Sequence, residues 1–258
     1  VPDLFDMKLR ALRRDRAARG GPELFLLERA FDDCLERIGL MSRRFERALL
    51  IGCPDAHWRA RLGATAGEVE CRDPGPRFAA AAGGIPITED HWEPRAQAYD
   101  LVLAVGSLDT VNDLPLALRL IRFAMRSNGL FMGALSGGDT LPILRTAMRA
   151  ADAVSGAASP RVHPRIEPSA LSPLLGDAGF VRPVVDVDRV QVSYQSLDRL
   201  VSDLRAMAAT NVLSARGPAL TRPQRDAAER AFADAGVDSR TTETFELLHF
   251  AAFAPSGG

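Results

Sequence analysis

The chain is almost without lysine: of its 32 basic residues, Lys8 alone is a lysine and the other 31 are arginines. Cysteine is scarce too. Cys34, Cys53 and Cys71 are scattered and odd in number, which argues against a disulfide framework and for reduced thiols. There is no excess of either charge. The 33 acidic residues bring the net charge to -1, so no bulk attraction to nucleic acid or to an anionic membrane is implied. The few aromatic residues do not interleave with basic ones as a nucleic-acid surface would require. No apolar run approaches the ~20 residues needed to span a bilayer. Residues Val1 to Asp6 show no charged-then-apolar leader, and a cytoplasmic setting is expected. His57, His91, His163 and His249 lack metal-ligand spacing with the cysteines, so no metal is expected. No serine sits in a G-x-S-x-G elbow.

What is present is an alternation of helical and strand patterns over 258 residues. Residues 4–19 mix Lys8, Arg10, Arg13, Arg14, Arg16 and Arg19 with aspartates over a thin apolar stripe. This reads as a solvated helix lying on the domain, with a docking arm for an acidic partner as the functional alternative. Gly20-Gly21-Pro22 ends it, and a second helix covers 24–40. Strands are predicted at 48–53, 68–71, 85–87, 99–105 and 130–135, with helices at 58–66, 77–82 and 114–125 between them. That order means a parallel sheet with helices on both faces. Beyond it, a helix is expected from Asp139 or Thr140 to about Val154, then helices at 169–178, 197–209 and 222–235. Strands are expected at 181–187, 190–194 and 245–253. We divide the chain into an N-terminal helical extension (1–45) and an α/β domain (46–258) that carries inserted cap helices within 136–224.

In such a sheet, ligands bind beyond the carboxyl ends of the strands, near the switch point. The first strand ends at Gly52-Cys53, where a glycine lets a ligand approach the backbone. The residues that follow, Pro54-Asp55-Ala56-His57-Trp58, are not a glycine loop. Pro54 removes a donor, Ala56 adds a methyl, and His57 is a candidate to point inward. Asp73 ends the second strand, where a carboxylate can accept both ribose hydroxyls of an adenosine; it can equally cap a helix. Glu89 and Asp90 follow the third strand, as solvated acids or acceptors for an adenine amino group. Ser107 and Asp109 follow the fourth, where they can hydrogen-bond a substrate or simply end the strand. Ser136-Gly137-Gly138 offers a nest of amides or a flexible lead into a helix. Trp92 is placed to stack on a planar ligand, although packing is the usual role of tryptophan.

These residues resemble class I S-adenosylmethionine-dependent methyltransferases. Within that class they are most similar to the branch of mitochondrial complex I assembly factor five and its alphaproteobacterial relatives. The cues are RRDRAA, RRFERALLIGC, SLDTVNDLPLAL, GALSGGDTLPILR, LSPLLGDAGF and VDVDRVQVSYQSLDRLVSDLRAMAATN. The malonyl-carrier-protein methyltransferase of biotin synthesis is a more distant likeness. The resemblance implies a Rossmann-like, mostly parallel seven-stranded sheet. It also implies an S-adenosylmethionine site at Gly52, Cys53, Asp73, Asp90 and Ser107. Ser107, Asp109 and Asp139 become candidates to hold a methyl acceptor. The family's D-L-G-C-G-x-G turn stands here as Leu50 to Ala56, with Pro54 and Ala56 at the later glycines, and the family's His-Trp pair stands as Asp109-Thr110. Two functions are expected to compete: a methyltransferase-like enzyme with an unknown, protein-type acceptor, and a non-catalytic binding or respiratory-complex assembly factor that has lost its cofactor. A protein partner would use the Arg-rich first helix or the cap.

Overall fold

The structure, a computed structural model, describes residues 2–256. Two helices come first, α1 (Met7–Gly20) and α2 (Phe25–Gly39). Then follow β1 (Phe45–Ile51), α3 (His57–Gly63), β2 (Ala66–Asp73), α4 (Pro76–Ala81), β3 (Ile85–Pro86) and β4 (Tyr99–Val105). The second half runs α5 (Leu114–Ala124), β5 (Met125–Ser136), α6 (Pro142–Ser155), α7 (Pro168–Asp177) and β6 (Val181–Tyr194). It closes with α8 (Leu197–Ala206), α9 (Arg222–Asp234) and β7 (Thr241–Phe253).

Among the described residues seven strands join one sheet, in the order β3-β2-β1-β4-β5-β7-β6. Strands β1 to β5 run parallel, and β7 is antiparallel to both β5 and β6. The order reverses between β1 and β4, and the crevice beyond their carboxyl ends is where such sheets bind ligands. Successive side chains point to opposite faces of a strand, so β1 feeds two cores. Leu49 and Ile51 join Phe131 and the α5 and α7 leucines on one face. Ala48 and Leu50 join Phe31 of α2 and Trp58 of α3 on the other. There Trp58 lies flat on Phe31, with centroids 4.2 Å apart. Helices α6, α8 and α9 share a third core with Phe245, and this group of helices is called the cap below.

Three expectations change. The segments read as strands 181–187 and 190–194 form the single edge strand β6. Asp188 and Arg189 interrupt the apolar pattern only because an edge strand faces water there. The cap helix begins at Pro142 rather than at Asp139 or Thr140. Its N-cap is Leu141, at φ +62°, and the carboxylate of Glu243 in β7 accepts from the Ile143 and Leu144 amides. A distant acid thus does the work of a local cap. Most consequentially, α1 is solvated on one face only: Lys8, Leu12, Arg16 and Arg19 are exposed, but Arg10 and Arg14 are only 4% and 6% exposed.

Candidate functional site

The turn after β1 is built around Gly52. Its φ is +80°, its amide donates to the Arg72 carbonyl at 2.8 Å, and a β-carbon here would overlap the Val105 carbonyl oxygen. Only glycine meets both demands. Pro54 is buried beyond the turn. Asp55 folds back to accept from the His57 amide and pairs with its Nδ1 at 2.8 Å, leaving the His57 side chain 87% exposed and turned to solvent. Cys53 is buried beside Cys71. The neighbouring Cys71 thiol, together with burial, pushes the Cys53 thiol up.

Asp73, at the end of β2, is fully buried and fully engaged. Arg14 of α1 donates through Nε to Oδ1 (2.7 Å) and through Nη2 to Oδ2 (2.6 Å). The Gly75 amide also donates to Oδ1 (2.7 Å), and the Cys53 amide to Oδ2 (2.8 Å). Four donors occupy the roughly four lone-pair positions of a carboxylate. Burial alone would lower the Arg14 guanidinium, but the charge of Asp73 beside it, with Glu89 beyond, holds it raised. One turn back on the same face, Arg10 makes a second bidentate pair with Glu89 at 2.7 and 2.8 Å, and also donates to the Ser107 carbonyl. Asp90 faces elsewhere: it accepts from the Asp113 amide (2.9 Å) and pairs with His91.

Local structure holds α1 in this place. Asp6 caps it by accepting from the Leu9 amide. The Asn112 side chain grips the Phe5 backbone twice, at 2.8 and 3.1 Å, and the Asp6 amide donates to the Val212 carbonyl. Gly75 lets the helix approach, since a β-carbon there would stand 2.6 Å from Arg14 Cβ. The conspicuous SLDTVNDLP stretch therefore seats the N-terminal arm, with Asn112 as its clamp and Asp113 as the cap of α5.

The other acceptor-side residues are divided. Ser107 is buried, and its hydroxyl finds no partner among the described residues. Asp109 pairs with Arg165 at 2.9 Å, and Arg165 is 3% exposed with an unpartnered Nε. Burial lowers Arg165 and Asp109 only partly offsets it. Asp139 lies outside, 69% exposed against Arg189 at 3.2 Å. Trp92 is buried beneath the Arg72 guanidinium, 4.9 Å from its ring centre.

His163 accepts from the Val212 amide at 2.8 Å and is pushed down to about 4, first by burial and then by Arg165. The unfolded chain takes up this proton near 6.5 and the folded chain only near 4, so the contribution is complete above pH 6.5 and lost as pH falls toward 4. His249, also lowered by burial, acts with the same sign. Urea midpoints are expected to fall across that window, with a smaller fall in His163→Gln, whose amide oxygen can still accept. A flat profile would contradict this.

No protein-family model matches the chain. Individual relatives do. Over 261 residues it is 30% identical to the mitochondrial arginine-hydroxylase NDUFAF5 of Mus musculus, covering 96% of this chain and 76% of that protein. The chain belongs to the NDUFAF5 family. The Danio rerio member is 28% identical over 268 residues, covering 98% of this chain and 83% of its own. The malonyl-[acyl-carrier protein] O-methyltransferase of Xylella fastidiosa is 34% identical over 184 residues, 64% of this chain and 59% of that one. Among solved structures, the YcgJ protein of Bacillus subtilis superposes with a TM-score of 0.58 at 11% identity, covering 88% of this chain and all of that one. The N-methyltransferase NodS of Bradyrhizobium japonicum, solved with S-adenosylhomocysteine, gives 0.52 at 13%, covering 96% and 99%. The fold is that of Rossmann-like class I methyltransferases, and this NDUFAF5-family chain is methyltransferase-like.

The residues do not fit S-adenosylmethionine in this arrangement. A ribose can bond Asp73 only by displacing Arg14, because all the acceptor positions are taken. Between α1 and the ends of β4 and β5 a cavity of about 90 Å³ remains, against the ~300–1,000 Å³ of ordinary small-molecule pockets. In the sequence Arg10 and Arg14 stand only as members of a solvated or docking helix, and Asn112 and Arg165 carry no site expectation. The spacing of Arg10, Arg14 and Ala17 at i, i+4 and i+7 was the available signal, since it marks one inward stripe of α1.

Proposed function

We propose that this chain is a methyltransferase-fold assembly factor that works by binding a protein partner and, with α1 seated, takes no S-adenosylmethionine. One observation carries the reading: the buried Arg14 of α1 satisfies Asp73, the acid the crevice would present to a ribose, and Arg10 binds the neighbouring Glu89, while Asp90, the acid matched to an adenine, is held by the Asp113 amide and His91. Pro54 and Ala56 in the turn support it, because both remove freedom that a glycine loop would give a ligand. Kinship with complex I assembly factor five favours a respiratory-complex client. Free, buried Cys34, Cys53 and Cys71 suit a reducing, cytoplasmic setting.

Hydrogen exchange along α1 tests the reading. Its amides are expected to be well protected and unchanged by added S-adenosylmethionine. Faster exchange over Met7–Gly20 on addition would mean that the helix leaves to admit a cofactor, and would favour an enzyme with a moving arm.

A further inference from the structure

The cap carries an open groove of about 760 Å³ between α6, α8 and α9, with Leu144, Met148, Val162, Val201 and Leu220 among its lining. A second groove of about 560 Å³, between α1 and α8, shares Val201, Ser202, Arg205, Thr210 and Asn211 with it, so the two form one trough. Its charge is one-sided. Asp198 and Glu229 are both engaged by Arg225. Among the described residues, Arg13, Arg16, Arg199 and Arg205 meet no carboxylate within ion-pair distance. Arg13 is held below its usual value by burial and by the neighbouring Arg216, Arg16 and Arg205, the mark of uncompensated positive charge. At the inner end Arg165, buried with its Nε unpartnered, lines both this trough and the small cavity behind it.

We propose that this trough binds an acidic, amphipathic segment of a protein partner, its carboxylates on the arginines and its apolar side chains on the leucine and valine floor. The inference deepens the reading of the chain as a protein binder. Grooves of about 760 and 560 Å³ are too large for one small carboxylate, and arginine recognises carboxylates through paired donors. A nucleic acid fits it less well, because among the described residues no phenylalanine, tyrosine or tryptophan lines either groove to stack on bases.

The test is fluorescence anisotropy of the full chain with a labelled helical peptide carrying glutamates on its polar face and leucines on the other. Its lysine counterpart and single-stranded oligothymidylate serve as competing probes. The glutamate peptide is expected to bind, the other two to bind at least about tenfold more weakly, and added salt to weaken the complex. Arg199→Glu with Arg205→Glu, both exposed, should cost about tenfold or more, and the glutamine pair less. Arg119→Glu, on the exposed side of α5, should change nothing. Equal binding of the lysine peptide or the oligonucleotide, or full binding by the charge-reversed pair, would overturn the proposal. The cofactor reading fails separately: a chain that binds both S-adenosylmethionine and the glutamate peptide keeps the trough and loses the closed site.

Discussion

Arg14→Ala is expected to destabilise the fold by about 3–5 kcal/mol, far beyond the range of an ordinary surface substitution on a charged helix. Its guanidinium and the Asp73 carboxylate are 7% and 0% exposed, so neither partner can turn to water when the other goes. The loss is mostly the cost of leaving Asp73 charged and buried, with only the Cys53 and Gly75 amides to satisfy it. A double-mutant cycle separates this from lost packing. Arg14→Met with Asp73→Asn should be less destabilising than the sum of the single changes, because the pair is coupled. Denaturant unfolding reads both effects. A change below about 1 kcal/mol in Arg14→Ala would mean that α1 is peripheral after all.

Gly52→Ala should destabilise by about 2–5 kcal/mol, combining the penalty for a side chain in left-handed backbone with overpacking against Val105. Pro54→Gly with Ala56→Gly restores glycines to the turn and is expected to fold, at a cost of about 1–3 kcal/mol from the lost buried proline ring and the freer unfolded chain. It should still not bind S-adenosylmethionine, because Arg14 continues to occupy Asp73. Melting curves and ligand titration of the two variants check this. Binding regained by the glycine pair alone would move the obstruction from α1 to the turn.

Much of the scaffold was legible in the sequence because its signals are local. YDLVLAV reads as a strand buried on both faces, and β4 is buried from end to end. The SLDTVNDLP and GGDTL stretches identified the branch, and the comparison with mitochondrial NDUFAF5 agrees. The candidate site was less legible because its deciding contacts cross long separations. Arg10 meets Glu89 and Arg14 meets Asp73 across 79 and 59 residues. A run of arginines among aspartates has the composition of a solvated helix, and nothing local reveals that two of them turn inward. Likewise, Glu89 and Asp90 are adjacent and chemically alike, and only the path of the loop decides which one meets Arg10.

The measurement that bears most directly on the closed site is isothermal titration of the full chain with S-adenosylmethionine and S-adenosylhomocysteine, alongside the melting temperature. The arrangement of Arg10, Arg14, Asp73 and Glu89 predicts no heat of binding and no thermal shift at high ligand. Micromolar binding of either compound, roughly −8 kcal/mol, would contradict it and show that the first helix yields its place to a cofactor.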